Sequence, residues 1–180
     1  MNINNSDVKD FELMKVLEGY ETKAYRCPAG YVTISVGFNM ERAGARQVWN
    51  EVIGTEVDFD EAFAGNVELN ELQALKLFKY DWDSCESAVR RRCMELKLNY
   101  DAFPDYKKFA TKDVCYNTGS VKNWTKIFTN TDPRKVMYEA RRNPKKLMDS
   151  RVAKICHAFG ICKDLEDCKK LGLEYAKYIS

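Results

Sequence analysis

The stretch EGYETKAYRCPAGYVTISVGF, residues 18–38, places three chemically different side chains at short intervals. Glu18 is followed after eight residues by Cys27, and Cys27 is followed after five residues by Thr33. A carboxylic acid can transfer a proton, a thiol or thiolate can hold water or attack carbon, and a hydroxyl can orient a water molecule. If the three side chains converge, they can supply a general acid together with an activated nucleophile.

A helix that ends at Glu18 is predicted from the residues before it. Apolar side chains recur there at helical spacing: Val8, Phe11, Met14 and Leu17. Ser6 or Asp7 is the predicted N-cap, and Gly19, which tolerates a positive φ, is the predicted C-cap. Glu18 then lies at the carboxyl end of the helix, where the helix dipole disfavours a negative charge. A carboxylate at such a position indicates a functional task.

Cys27 and Thr33 fall in a β-hairpin that is predicted over residues 22–38. Apolar and polar side chains alternate with a period of two along its second half, and the segment PAG (28–30) is typical of a turn. The alternation places Thr33 on the face opposite the flanking valine and isoleucine, so that its hydroxyl points away from their apolar side.

The rest of the chain is predicted to be helical. A helix is expected over about 43–53 and a long one over about 70–97, where Asn70 and Gln73 match a capping box. The predicted apolar stripe of the long helix comprises Leu72, Leu75, Leu77, Phe78, Trp82, Cys85, Val89 and Cys93. Beyond Pro104 the pattern indicates shorter helices. The sequence therefore predicts an α+β fold, in which a small hairpin lobe is joined by a long helix to an all-helical lobe.

Composition and charge narrow the class of protein. The 180 residues are 45% hydrophobic, and no stretch approaches the roughly 20 apolar residues that span a bilayer. The start of the chain lacks the features of a secretory signal, so we expect a cytosolic protein whose seven cysteines are reduced. Residues 1–80 carry a net charge of −5 and residues 81–180 a net charge of +7. The basic half favours a polyanionic partner: nucleic acid, an anionic membrane face or an acidic cell-wall polymer.

Four ordered motifs carry a resemblance to a known family. In the first, Glu18-Gly19, Lys23, Tyr25, Gly30 and Thr33-Ile34 match the consensus EG…K.Y…G..TIG.GH. The later three are LNELQALKLF (69–78), CYNTGSVKNWTKIF (115–128) and KKLMDSRVAK (145–154). On these motifs the chain resembles the phage-type lysozymes, which are the endolysins of glycoside hydrolase family 24.

The resemblance implies a single lysozyme-like domain, with a hairpin lobe over about 1–68, an interlobe helix over about 70–97 and a helical lobe over about 98–180. It implies hydrolysis of the β-1,4 bond between N-acetylmuramic acid and N-acetylglucosamine in peptidoglycan, which needs a carboxylic acid and a group that assists the nucleophile. The implied catalytic residues are Glu18, Cys27 and Thr33, and the implied substrate-binding residues are Asn117 and Arg151.

The implied setting is a phage-infected bacterium. The expected partner is peptidoglycan bound between the lobes, without nucleic acid, stable membrane insertion, cofactor or metal, and the protein is expected to be a monomer. We expect it in the host cytoplasm before lysis or, alternatively, on the virion.

Departures from the family pattern leave alternatives open. Cys27 stands where relatives carry Asp or Cys, and an ordinary thiol is mostly neutral at pH 7, so Cys27 either holds a water or acts as a thiolate nucleophile. Ser35 and Phe38 replace the usual Gly and His, so any ion pair of that His is lost. The Arg that often contacts the catalytic Glu in relatives is not evident, and His157 or Arg151 is the candidate replacement.

Three other functions remain as alternatives. A lytic transglycosylase cuts the same bond with a single carboxylic acid, which fits the thiol at position 27. An inactive wall-binding or virion structural protein would bind walls without degrading them. A zinc site is disfavoured by ligand spacing, and its residues would be Cys156, His157, Cys162 and Cys168.

Overall fold

The computed structural model describes residues 1–141, 150–164, 166–167 and 170. Over these residues the protein has eight α-helices and one antiparallel sheet of three strands in the order β1-β2-β3, which confirms the predicted α+β class. The elements are α1 (Asn5–Glu18), β1 (Glu21–Arg26), β2 (Val32–Ser35), β3 (Phe38–Asn39), α2 (Ala45–Val52), α3 (Phe59–Phe63), α4 (Glu71–Glu95), α5 (Asp105–Thr118), α6 (Thr125–Thr129), α7 (Pro133–Glu139) and α8 (Ser150–Ala158). No described helix is both long and apolar enough to cross a membrane.

The chain divides into two compact units, Met1–Asp83 and Ser84–Ser180. The first unit, which we call the hairpin unit, carries 8 basic and 15 acidic side chains and has a net charge of −7. The second, the helical unit, carries 21 basic and 12 acidic side chains and has a net charge of +9. The difference in net charge is therefore larger between the two structural units than between residues 1–80 and residues 81–180.

Helix α1 begins two or three residues earlier than the predicted caps indicate. Asn4 is the N-cap, because its side-chain oxygen accepts hydrogen bonds from the N–H groups of Ser6 (2.8 Å) and Asp7 (3.1 Å). The Asp7 carboxylate accepts from the Asn4 N–H in return at 2.9 Å, which completes a capping box. At the other end Gly19 has a φ of 87° and donates to the Lys15 carbonyl, as predicted, and Glu18 is the last residue of the helix.

The predicted hairpin is present, but its second strand is the centre of a three-stranded sheet. The short strand β3 pairs with the free edge of β2, a pairing that the sequence did not predict. All four residues of β2 are also buried, Thr33 at 4% exposure and Ser35 at 2%. The predicted polar face therefore does not face solvent, and the Ser35 hydroxyl donates instead to the carbonyl of Ala74 on α4 at 3.1 Å.

The core of the hairpin unit packs the sheet against α2, α3 and the start of α4. Trp49 is fully buried at its centre and donates its indole N–H to the Val57 carbonyl at 2.8 Å. The predicted capping box of α4 is present, since Asn70 and Gln73 exchange two hydrogen bonds of 2.9 Å. The predicted apolar stripe is wrong at Leu72, which lies in the first turn of α4 and is 54% exposed.

In the helical unit, α5 is surrounded by α6, α7 and α8. Lys107 on α5 is buried, and its ammonium group donates to the carbonyls of Phe128 (2.6 Å) and Asn130 (2.7 Å) at the end of α6. Burial lowers the pKa of Lys107, while the two carbonyls satisfy two of its three donors. This contact ties α5 to the carboxyl end of α6.

The cysteines differ in part from the expectation of reduced thiols. The described free thiols are Cys27, Cys85, Cys93, Cys115 and Cys156. Cys162 is disulfide-bonded, so the expectation is wrong at that position. A disulfide sulfur cannot serve as a thiolate ligand, which removes Cys162 from the zinc alternative. Cys168 lies outside the described residues, and no group of three or more potential metal ligands occurs within them.

Candidate active site

Glu18 is placed at the junction between α1 and the sheet. It is the last helical residue and is half-buried, and three residues later the chain enters β1 at Glu21. The reversal between the two elements is made by Gly19, whose φ of 87° suits a residue without a side chain. The backbone of Glu18 is therefore positioned by a helix end and by the strand that follows it.

Cys27 and Thr33 are in direct contact. A hydrogen bond joins the Cys27 thiol to the Thr33 side chain, across the turn that connects β1 and β2. The turn is closed by backbone bonds from the Cys27 N–H to the Tyr31 carbonyl (3.0 Å) and from the Gly30 N–H to the Cys27 carbonyl (2.8 Å). Cys27 is half-buried and Thr33 is buried, so the sulfur is the more accessible of the two groups.

The surroundings of Cys27 favour its thiolate. The Thr33 hydroxyl lowers the pKa of the Cys27 thiol most, and backbone N–H groups of the turn lower it further. These N–H groups belong to Tyr31, Ala29 and Gly30. Burial acts in the opposite direction but does not outweigh the hydrogen bonds. The turn thus places the Cys27 side chain, as a hydrogen-bond acceptor, close to several backbone N–H groups. An aspartate side chain at this position could accept from the same groups.

Tyr25, which the sequence analysis did not select as a site residue, connects Glu18 electrostatically with Cys27. It pairs with Thr33 in the β1–β2 register and is 37% exposed. Burial raises the pKa of the Tyr25 phenol most strongly. The negative charges that raise it further belong to Cys27, Glu21 and Glu18. Glu18 and Cys27 therefore both act on one phenol, and the strand pairing with Thr33 is the signal that could have identified Tyr25.

An ion pair covers Phe38, where the family pattern has a histidine. The Arg42 guanidinium lies 4.4 Å from the centre of the buried Phe38 ring. It also donates to both carboxylate oxygens of Asp81, at 2.9 and 2.7 Å. Burial raises the pKa of Asp81, against the opposite effect of Arg42. A cation is thus supplied beside the ring by a residue that the sequence analysis did not select.

In the helical unit, Asn117 and Arg151 converge on Asp113. The Asn117 amide donates to the Asp113 carboxylate at 3.0 Å, and the Arg151 Nε lies 3.1 Å from each carboxylate oxygen. A further bond joins Arg151 Nη2 to the same carboxylate. Asp113 is only 2% exposed. The sequence analysis did not identify it, although it lies four residues before Asn117 and therefore on the same face of the helix. His157, the other candidate for the arginine's role, is exposed on α8.

Comparison with known proteins identifies the family of the chain. The profile of the phage lysozyme family matches residues 15–146, which include the whole sheet and helices α2 to α7. None of the curated proteins compared with the chain matches it. The family match covers well over half of the chain and begins just before Glu18, in an α+β structure with a small sheet. The chain belongs to the phage lysozyme family and is a peptidoglycan hydrolase of the endolysin type.

Proposed function

We propose that this protein is an endolysin that hydrolyses the β-1,4 bond between N-acetylmuramic acid and N-acetylglucosamine, and that it does so to lyse the host of a phage. The observation that carries the proposal is the hydrogen-bonded pair of Cys27 and Thr33 in the same compact unit as the helix-end Glu18. The family membership supplies the substrate class, which is peptidoglycan.

Glu18 is the proposed general acid. Cleavage of a glycosidic bond requires protonation of the leaving oxygen as the bond to the anomeric carbon breaks. Glu18 is the carboxylic acid placed by both α1 and the start of the sheet, and it is half-buried. A proton donor in such a position typically accelerates cleavage by about 10²- to 10⁴-fold.

Cys27 and Thr33 are proposed to hold the attacking water. The Thr33 hydroxyl donates to the Tyr31 carbonyl at 3.1 Å and can accept a hydrogen bond from the neutral Cys27 thiol. When the thiol ionises, the hydroxyl can turn and donate to the sulfur instead. The partly exposed sulfur then accepts a hydrogen bond from water and carries the negative charge that a carboxylate carries in other family members.

Asn117 and Arg151 are proposed to bind substrate from the helical unit. Their shared contact with the buried Asp113 fixes both side chains in one orientation, which reduces the entropy lost on binding. The net charge of +9 on this unit favours anionic wall polymer. The proposed steps are acid–base steps and require no cofactor, and we propose that the protein acts as a monomer released from the host cytoplasm at lysis.

A lytic transglycosylase is the second candidate, and the thiol at position 27 is the observation that favours it. A transglycosylase uses the sugar's own hydroxyl as nucleophile and needs only one carboxylic acid. Product analysis separates the two reactions, because a transglycosylase leaves a 1,6-anhydro end whereas a hydrolase leaves a reducing end. We expect reducing ends, and a majority of 1,6-anhydro ends would overturn the proposed hydrolysis.

The proposal is tested by Glu18→Gln with Glu21→Gln as the matched control. Glu21 is an exposed carboxylate three residues away, at the start of β1. We expect Glu18→Gln to reduce the clearing of cell-wall suspensions by at least about 10²-fold, while Glu21→Gln remains close to wild type. Circular dichroism checks that both variants are folded. Near wild-type clearing by Glu18→Gln would remove Glu18 from the mechanism, and binding without clearing by the wild-type protein would indicate the inactive wall-binding function.

A further inference from the structure

The hairpin formed by β1 and β2 carries two tyrosines whose rings are exposed. Among the aromatic side chains of the residues that the structure describes, only Tyr25 and Tyr31 are exposed, at 37% and 51%. The other described aromatic side chains are buried or half-buried. Exposed aromatic surface in the described part of the chain is therefore concentrated on this hairpin, and the proposed reaction gives neither tyrosine a role.

Both tyrosines lie next to the pair of Cys27 and Thr33. Tyr25 is paired with Thr33 in the β1–β2 register, and residues that are paired across antiparallel strands point to the same face of the sheet. Tyr31 precedes Thr33 by two residues, which is the spacing of side chains on one face of an extended chain. The Tyr31 carbonyl accepts from the Cys27 N–H at 3.0 Å and from the Thr33 hydroxyl at 3.1 Å. The backbone that holds Cys27 and Thr33 therefore also fixes Tyr31.

This face of the hairpin is covered at one end and open at the other. Ser35 lies at the covered end, where it is 2% exposed and donates to the Ala74 carbonyl on α4. Val32 and Ile34, which alternate with Thr33, are buried in the core of the hairpin unit on the opposite face. The open end of the face carries the two tyrosines, so their rings are accessible to a ligand that reaches Thr33.

We propose that Tyr25 and Tyr31 form an aromatic platform, against which a pyranose ring of the glycan strand packs beside Cys27 and Thr33. One face of such a sugar ring presents mainly C–H groups, while its hydroxyls lie around the rim. A tyrosine ring offers a flat apolar face with a negative potential that attracts C–H groups, and its own hydroxyl can remain in water. The inference rests on the proposed function, because the glycan must reach Cys27 and Thr33 for the reaction to occur.

Charge favours the sugar ring over the acidic stem peptide as the occupant of the platform. The hairpin unit has a net charge of −7, which repels carboxylates, whereas packing on an aromatic ring needs no positive charge. Arg26, which follows Tyr25 in β1, already donates to the Gly30 carbonyl at 2.8 Å and lies 3.9 Å from the Glu41 carboxylate. The uncharged glycan backbone is therefore the part of peptidoglycan that fits this surface.

The test measures binding and turnover separately in the full-length protein. Soluble glycan strands of peptidoglycan, stripped of their stem peptides, are titrated by calorimetry into tyrosine variants made in the Glu18→Gln protein. We expect Tyr31→Ala and Tyr25→Leu each to weaken binding by about 5- to 30-fold, because each removes a flat aromatic contact. In otherwise wild-type protein, the same substitutions should raise the KM of wall clearing by a similar factor and change kcat much less.

The controls separate ring packing from other effects. Tyr31→Phe restores the ring and should recover most of the affinity that Tyr31→Ala loses. Leu72→Ser removes an exposed apolar side chain from α4 and should bind like the parent. Circular dichroism checks that every variant is folded.

Several results would overturn the platform. They are unchanged binding of the stripped strands by Tyr31→Ala and Tyr25→Leu, an equal loss in Leu72→Ser, a loss seen only with peptidoglycan that retains its stem peptides, or a parent protein that does not bind the strands. Near wild-type clearing by Glu18→Gln would reject the general acid alone, since the KM of clearing still reports on the two tyrosines.

Discussion

Replacing Asp113 with alanine should destabilise the helical unit because it removes a buried carboxylate that accepts hydrogen bonds from Arg151. The Arg151 side chain is only 11% exposed, and Asp113 accepts from both its Nε and its Nη2. Asn117 loses one of two acceptors but keeps its bond to the Asp113 backbone carbonyl at 2.9 Å. Removing one partner of a buried ion pair costs about 3–5 kcal/mol. For a chain of this size that corresponds to a fall in Tm of about 6–20 °C.

A double-mutant cycle measures how much of this loss belongs to the pair. Asp113→Ala, Arg151→Met and the double variant are unfolded with urea and followed by circular dichroism. The double variant should be more stable than the sum of the single losses predicts, with a coupling of about 2–3 kcal/mol, because both charges of the buried pair are removed together. Additivity within about 0.5 kcal/mol would refute the argument.

The control for this cycle is the pair of Arg46 and Asp60 in the hairpin unit. Arg46 also donates to both carboxylate oxygens of its partner, through Nη1 and Nη2, but the two side chains are 54% and 70% exposed. Water screens charges at such positions, so the losses from Arg46→Met and Asp60→Ala should be small and close to additive. The contrast between the two cycles isolates the effect of burial.

Three further predictions concern the candidate site and the charge of the chain. Cys27→Ser should keep measurable lytic activity, and Cys27→Asp should equal or exceed the wild type, because each side chain can hold a water and the carboxylate is also a base. Thr33→Val should shift the pH dependence of Cys27 alkylation to higher pH, since the hydroxyl that lowers the pKa of this thiol is lost. Lytic activity should fall as salt rises from 0.1 M to 1 M and the Debye length shrinks from about 10 Å to about 3 Å.

Each of these predictions has a result that contradicts it. An inactive Cys27→Ser variant together with a glycosyl adduct on Cys27, detected by mass spectrometry, would establish covalent catalysis instead. Thr33→Ser keeps the hydroxyl and should retain the wild-type alkylation profile; an unshifted profile in Thr33→Val would show that the hydrogen bond does not control the thiol. Activity that is flat over the salt range, with the fold intact, would mean that the basic helical unit does not steer binding.

Local patterns predicted much of this fold correctly. The alternation around the PAG segment identified the hairpin, Gly19 identified the end of α1, and the capping box at Asn70 identified the start of α4. Each of these features is determined by a few neighbouring residues, so it can be predicted from the local sequence. The N-cap of α1 was misplaced because Asn4, Ser6 and Asp7 are all good caps, and only the reciprocal bond between Asn4 and Asp7 selects among them.

The errors arose where distant residues decide the outcome. Strand β3 has only two residues and leaves no periodic signal. On the predicted polar face of β2, Ser35 is buried because it donates to the carbonyl of Ala74, which lies 39 positions later. Asp113 lies in a helix where a charged residue is expected to face water, but Arg151, 38 positions later, makes its burial tolerable. For the site, the spacing drew attention to Cys27 and Thr33 together, whereas Tyr25 could be identified only from the strand register.

The central position of β2 has a consequence for how the chemistry of this protein can evolve. Thr33 lies in a strand that is covered on both faces, so a substitution there changes the packing of the fold as well as the reaction. Cys27 lies in a turn and is half-buried, so its side chain can be exchanged for another short acceptor without rebuilding the core. Variation in mechanism should therefore accumulate at position 27, while position 33 is restricted by the same packing that keeps the sheet folded.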